Sequence, residues 1–132
     1  MYKISVIQFF SAAHFLRNYK GKCESLHGHN WKVEAVATGK ELDSAGMVMD
    51  FGELKKITAK VLDELDHCNL NDLDYFSAKG GPASGGKERS PSSEEIARYI
   101  YIKLKEEISA KGIRLEEIKV WETDTSCASY SE

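Results

Sequence analysis

The stretch from His27 to Thr38 alternates in side-chain character residue by residue, and no other stretch constrains the fold as tightly. With a period of two, His27, His29, Trp31, Val33, Ala35 and Ala37 share one face of a strand. Tyr2 to Phe10 alternates in the same way and is rich in β-branched and aromatic residues. It reads as a preceding strand, antiparallel to the one that follows. The polar stretch 15–26, which contains Gly21, reads as the loop between them, and Gly39 to Gly46 as the loop that leaves the second strand.

The periodicity then changes. Leu54, Ile57, Val61, Leu62 and Leu65 recur at helical spacing after an Asp50–Glu53 capping signal, which predicts a helix over 51–65. Residues 69–91 are irregular, with a Gly/Ser/Lys-rich portion at 77–93. Ser92 and Glu95 form a second capping signal after Pro91, and Ile96, Ile100, Leu104 and Ile108 mark a second helix that Gly112 ends. Ile113 to Glu122 and Cys127 to Tyr130 read as two further strands around a turn at Asp124 and Thr125. The order ββααββ predicts one α+β domain over 1–132: a four-stranded antiparallel sheet with two helices on one face. Four strands leave two open edges, so subunits joined edge to edge are expected.

Composition narrows the function. A formal net charge of −3 with no basic block argues against nucleic acid. No apolar run approaches the roughly 20 residues that span a bilayer. The first residues lack the pattern of a secretion signal, so Cys23, Cys68 and Cys127 are expected as reduced thiols in the cytoplasm.

The four histidines carry the chemistry. His27 and His29 project side by side from one strand face, and Gly28 between them leaves the opposite face bare. His14 lies at the end of the preceding strand, and antiparallel pairing can bring it to the other two. Three imidazoles suit zinc and leave a fourth position for water or substrate. Cys23 is near in sequence but lies in the loop; it reads either as a base or nucleophile of lowered pKa or as a fourth ligand closing a structural site. Asp66–His67 after the first helix reads either as a proton-transfer pair or as a helix C-terminal histidine. Glu122, on an otherwise apolar strand, needs a partner: a Lys or Arg, or a planar ligand edge with two parallel N–H donors, as in a pterin or a guanine.

These residues resemble the 6-pyruvoyltetrahydropterin synthase family, and within it the bacterial 6-carboxytetrahydropterin synthase branch. The likeness runs through FSAAHFL at 10–16, CESLHGHNW at 23–31, GMVMDFGELK at 46–55, LDHCNLN at 65–71, PSSE at 91–94 and VWET at 120–123. It implies the tunnelling fold, with ββααββ subunits forming trimer barrels that stack into a hexamer, active sites at subunit boundaries. It implies Zn2+ on His14, His27 and His29, catalytic Cys23, Asp66 and His67, pterin anchoring by Glu122, and Ser92 on the substrate side. In many relatives the position of Ser92 is threonine, and the 77–90 stretch is shorter. Lys79, Lys87 and Arg89 there read as phosphate contacts or as an ordinary surface loop, and Glu24 as an accessory acid or a solvated carboxylate. The implied reaction converts 7,8-dihydroneopterin triphosphate to 6-carboxytetrahydropterin, acetaldehyde and triphosphate for queuosine and other deazapurines. A pyruvoyl-forming synthase, an enzyme cleaving dihydroneopterin itself, a non-catalytic zinc- or pterin-binding module and a structural zinc protein are the alternatives.

Overall fold

The computed structural model describes residues 1–132. Strand β1 (Tyr2–His14) pairs antiparallel with β2 (His27–Gly39) without a break, from Tyr2 opposite Gly39 to His14 opposite His27. Helix α1 (Phe51–Leu65) follows, then β3 (Cys68–Asn69), helix α2 (Ser93–Ser109), β4 (Arg114–Thr123) and β5 (Ser126–Tyr130). The sheet order is β3-β1-β2-β4-β5.

The sheet therefore has five strands rather than the four expected, and it is mixed rather than antiparallel. The additional strand, β3, runs parallel to β1 and pairs only Cys68 and Asn69 with Ala12 and Ala13. Two residues are too few to show a period, so nothing in the sequence marks β3. Strand β1 also runs past Phe10 to His14, through Ser11, Ala12 and Ala13, whose small side chains carry little strand signal. The irregular stretch between β3 and α2 holds three short 3-10 turns, at Leu70–Asp72, Asp74–Phe76 and Pro82–Ser84.

Both helices lie on the face of the sheet that carries Val6, Phe10, Ala12, Trp31, Val33, Ala35 and Ala37. Helix α1 buries Leu54, Ile57, Val61, Leu62 and Leu65, the stripe its periodicity predicts. Helix α2 buries Ile96, Ile100, Leu104 and Ile108 together with Tyr99 and Tyr101. Asp50 caps α1 by accepting from the backbone N–H groups of Gly52 and Glu53. Strand β4 completes the core with Leu115, Ile118 and Val120. An irregularity opposite Val36 and Ala37 inserts Glu116 and brings both Leu115 and Ile118 inward. No helix is long and apolar enough to cross a membrane.

The core face ends in polar chemistry. Continuing the alternation of β2 past Trp31 places His29 and His27 on the helix-covered side, beside His14 of β1. Trp31 is fully buried, stacks on Phe10 with ring centroids 6.0 Å apart and donates its indole N–H to the Ala12 carbonyl at 3.2 Å. It is the floor on which His14 and His29 stand, with ring centroids at 4.9 and 5.2 Å. Trp31→Ala should lower the unfolding free energy in urea by about 3–5 kcal/mol. Trp31→Phe, which fills most of the volume but cannot donate, should recover the larger part of that loss.

Candidate metal centre and the adjoining depression

The continuous β1–β2 register is what brings His14 and His27 together. Their Nε2 atoms lie 3.0 Å apart. Each ring is fixed from behind. His14 Nδ1 donates to the Pro91 carbonyl at 2.7 Å, and His27 Nδ1 donates to the Ser25 carbonyl at 2.7 Å. With those protons committed, both rings turn an Nε2 lone pair toward the same point. Two facing lone pairs repel unless a cation lies between them.

His29 adds a third nitrogen and Glu122 an oxygen. Glu122 Oε1 is 3.2 Å from His14 Nε2 and 3.0 Å from His29 Nε2. Neither contact has hydrogen-bond alignment, and the buried His29 Nε2 has no hydrogen-bond partner. Together the four side chains place one donor atom each within 4.8 Å of one another, a group able to hold a metal ion. The orphaned nitrogen, the facing lone pairs and the N3O donor chemistry all fit a divalent cation of zinc type. Burial is the largest reason that His14 is held below the ordinary imidazole range; the Pro91 carbonyl opposes it, and repulsion from His27 reinforces it.

Glu122 reaches the cluster through strand register. Lys32 pairs with Trp121, so the next residue of β4 falls across from Trp31 and diagonal to His29. The sequence alone offers Glu122 a Lys, an Arg or a planar ligand as partner; in this chain it meets the imidazoles. Only the pairing of β2 with β4 could have located it.

The remaining candidates lie in three places. Cys23 sits in a 3-10 turn at Lys22–Glu24 as a half-buried free thiol, outside the four-donor cluster. Its carbonyl accepts from Leu16 N–H at 2.8 Å, which ties the turn to the end of β1, two residues beyond His14. The neighbouring Glu24 is exposed. Asp66 and His67 stand where α1 returns to the sheet. Asp66 Oδ2 lies 2.9 Å from His67 Nδ1, and Asp66 Oδ1 accepts from Ser11 N–H at 2.8 Å. His67 adopts a left-handed backbone, φ 57°, held by its N–H donating to the Ser11 carbonyl at 2.6 Å. His67 and His29 line one open depression of about 510 Å³, with Ser11, Gly28, Asn30 and Cys68. Gly28 is not sterically required there: a Cβ would meet only the Ala12 carbonyl oxygen, at 3.7 Å.

Ser92 caps helix α2, accepting from Glu95 N–H at 3.3 Å. It shares a smaller depression, about 210 Å³, with His14, Glu94 and Glu122. Lys79 and Lys87 are exposed, whereas Arg89 turns inward and pairs with Glu95 at 3.0 Å. Sequence reasoning missed Asn71, whose side-chain amide holds Phe15 from both sides: Oδ1 accepts from Phe15 N–H and Nδ2 donates to the Phe15 carbonyl. It also missed the Pro91 carbonyl behind His14. A backbone acceptor has no residue-type signature, and Asn71 would have needed the 15–71 contact to be known.

The fold and the site define a small α+β protein with a histidine-rich cluster, able to hold a metal ion, at the rim of its sheet. A model of the 6-pyruvoyl tetrahydropterin synthase family matches residues 3–132, and the chain belongs to that family. It is 37% identical over its whole length to the whole of the 6-carboxy-5,6,7,8-tetrahydropterin synthase of Haemophilus influenzae. It is 40% identical to the protein of the same name from Synechocystis, over 92% of this chain and 86% of the relative. The structure of Caenorhabditis elegans 6-pyruvoyl tetrahydropterin synthase superposes with a TM-score of 0.81 at 30% identity, covering 99% of this chain and 95% of that one. The tunnelling fold expected from the sequence is thus the fold observed.

The Asp66–His67 pair has a consequence for acid stability. The Ser11 N–H first, and then His67, hold the Asp66 carboxyl below the ordinary aspartate range. The stability this confers is complete above the ordinary range and is lost as the pH falls through the lower folded value. Asp66→Asn should therefore flatten the fall in the urea midpoint between about pH 5 and pH 2. His67→Ala should flatten it less, because the Ser11 bond remains.

Proposed function

We propose that this chain is a zinc-dependent lyase converting 7,8-dihydroneopterin triphosphate to 6-carboxy-5,6,7,8-tetrahydropterin, acetaldehyde and triphosphate, in the biosynthesis of queuosine and related deazapurines. The observation that carries the reading is the donor cluster, in which two imidazoles are locked from behind with their Nε2 atoms converging. The names of relatives that match across most of the chain support the choice of product.

Zinc held by His14, His27 and His29 would supply a Lewis acid toward the hydroxyl oxygens of the substrate side chain. The chain's own groups do the rest. Glu122, within reach of the site, accepts the paired N–H groups of the pterin ring. The Cys23 thiolate removes a proton from the side chain. Asp66 holds the Nδ1 proton of His67, which leaves Nε2 free to carry a proton to or from the substrate. Ser92, its lone pair engaged by Glu95 N–H, still has a hydroxyl proton to donate. Proton shifts from side chain to ring reduce the ring at the expense of the side chain, and elimination across the side chain releases triphosphate. One water then cleaves the bond between the first two side-chain carbons, its oxygen ending in the carboxylate and its hydrogen in acetaldehyde, so no external redox cofactor is consumed. A homohexamer built as a dimer of trimers would supply the neighbouring subunits called for by the part of β1 that the two-residue β3 leaves unpaired. The cytoplasm would be its compartment.

A second reading concerns Glu122 alone. Its Oε1 stands among the imidazoles, which favours a fourth metal ligand over a pterin anchor. Glu122→Gln separates the two: an anchor variant keeps zinc affinity and raises KM, whereas a ligand variant loses zinc.

The product assay uses zinc-loaded protein and 7,8-dihydroneopterin triphosphate with no added reductant, read by mass spectrometry. Formation of 6-carboxytetrahydropterin with acetaldehyde is the expected result. Appearance of 6-pyruvoyltetrahydropterin alone would move the chain to the other branch of its family, and untouched substrate would sink the reading. Cys23→Ala should retain zinc and lose at least about 100-fold in kcat. His27→Ala should lose zinc itself.

A further inference from the structure

Helix α2 begins with the pattern of a capping box, yet only half of the box is made. Ser92 is the N-cap and its Oγ accepts from Glu95 N–H. In a complete box the carboxylate at Glu95 would reach back and accept from Ser92 N–H. That N–H donates instead to the Ser90 carbonyl at 2.8 Å. A bond from residue 92 to residue 90 closes a three-residue turn with Pro91 at its centre. The carbonyl carried by this turn is the one that accepts from His14 Nδ1 at 2.7 Å.

Glu95 is held elsewhere. Its Oε1 accepts from Arg89 Nη1 at 3.0 Å, and its Oε2 accepts from the Tyr75 hydroxyl at 3.1 Å. Arg89 is itself seated: Nε donates to the Ser84 carbonyl at 3.1 Å, and the guanidinium lies 5.5 Å from the centre of the Tyr75 ring. Its side chain is only 14% exposed, so the pair is partly shielded from solvent screening. On the far side of the turn, the Ser90 hydroxyl oxygen accepts from Arg17 N–H at 2.9 Å.

We propose that Arg89 is a positioning residue for the metal ligand His14. By drawing the Glu95 carboxylate away from Ser92 N–H, it leaves that donor to the Ser90 carbonyl and keeps the Pro91 carbonyl on His14. Without Arg89, Glu95 completes the capping box, the turn opens, and His14 loses the acceptor that fixes its tautomer. The inference rests on the metal reading of the histidine cluster only for its effect on affinity, and not for the turn itself.

The test therefore has one arm with metal and one without. Zn2+ alone is titrated in competition with a chromophoric chelator against the wild type, Arg89→Met, Glu95→Ala and the double variant. Methionine keeps an apolar stem on the Tyr75 ring. Arg89→Met should weaken Zn2+ binding about 10-fold. Glu95→Ala, which removes the competitor, should stay near wild type, and the double variant should regain most of the affinity. In the metal-free arm, the His14 Nδ1 proton, assigned by its loss in His14→Gln, should be protected in the wild type, lost in Arg89→Met and restored in the double variant. Should Glu95→Ala fold poorly because the Tyr75 hydroxyl loses its acceptor, Tyr75→Phe is added to both Glu95 variants. Unchanged affinity and proton protection in Arg89→Met would overturn the proposal. So would a double variant as impaired as Arg89→Met, since Arg89 would then act only as an anchor of the 77–90 stretch. If the wild type binds no Zn2+, the metal reading fails, and the proton signal alone decides the role of Arg89.

Discussion

The contact on which the site depends is the antiparallel pairing that sets His14 opposite His27 at the end of β1 and β2. Twelve consecutive pairs lead up to it, so the register is secured by the buried alternation of both strands rather than by the histidines. A slip of one residue would turn Trp31 and Val33 to solvent and send the imidazoles to the other face. The cost of exposing that core far exceeds anything the polar cluster could return, so the core holds the site in place. The site, in turn, is an extension of the core face into polar chemistry, with Trp31 as the boundary.

The irregular segments complete what the strands begin. Residues 15–26 supply the Ser25 carbonyl to His27 and carry Cys23; residues 77–91 supply the Pro91 carbonyl to His14. Both are backbone acceptors, and they act on the ring nitrogens that face away from the cluster. This division explains how a Gly/Ser-rich stretch belongs to the site without presenting a reactive side chain. Of its inward residues, Ser84 holds the stretch's own path and Arg89 also ties it to Glu95 of α2, while Lys79 and Lys87 remain in solvent.

Asp66 and His67 meet the sheet from the opposite direction, at the end of α1. Ser11 receives both of them, its N–H on the Asp66 carboxylate and its carbonyl on His67 N–H. Strand β3 begins one residue later and pairs with the part of β1 that leads to His14. A left-handed histidine is an uncommon conformation, and here it is bracketed by these bonds. The depression shared by His29 and His67 is the meeting place of the two halves.

Much of this was legible in the residues alone. Alternation located β1 and β2, helical spacing and capping signals located α1 to the residue, and the H-x-H pair placed two imidazoles on one strand face. Each of these is a short-range property, carried by neighbours within a turn or a pleat. The two-residue β3 escaped because it has no period, and the inward turn of Arg89 because a charged residue in a Gly/Ser stretch reads as solvated. The convergence of Glu122 on the histidines depended on the pairing of β4 with β2. The locking of His14 by Pro91, 77 residues away, depended on where the chain returns. The sequence by itself determined which residues could serve as ligands and which face each strand would bury. Only the tertiary structure decided which of them share one point in space and which backbone carbonyls hold them there, because register and chain return are long-range packing outcomes that no local pattern encodes.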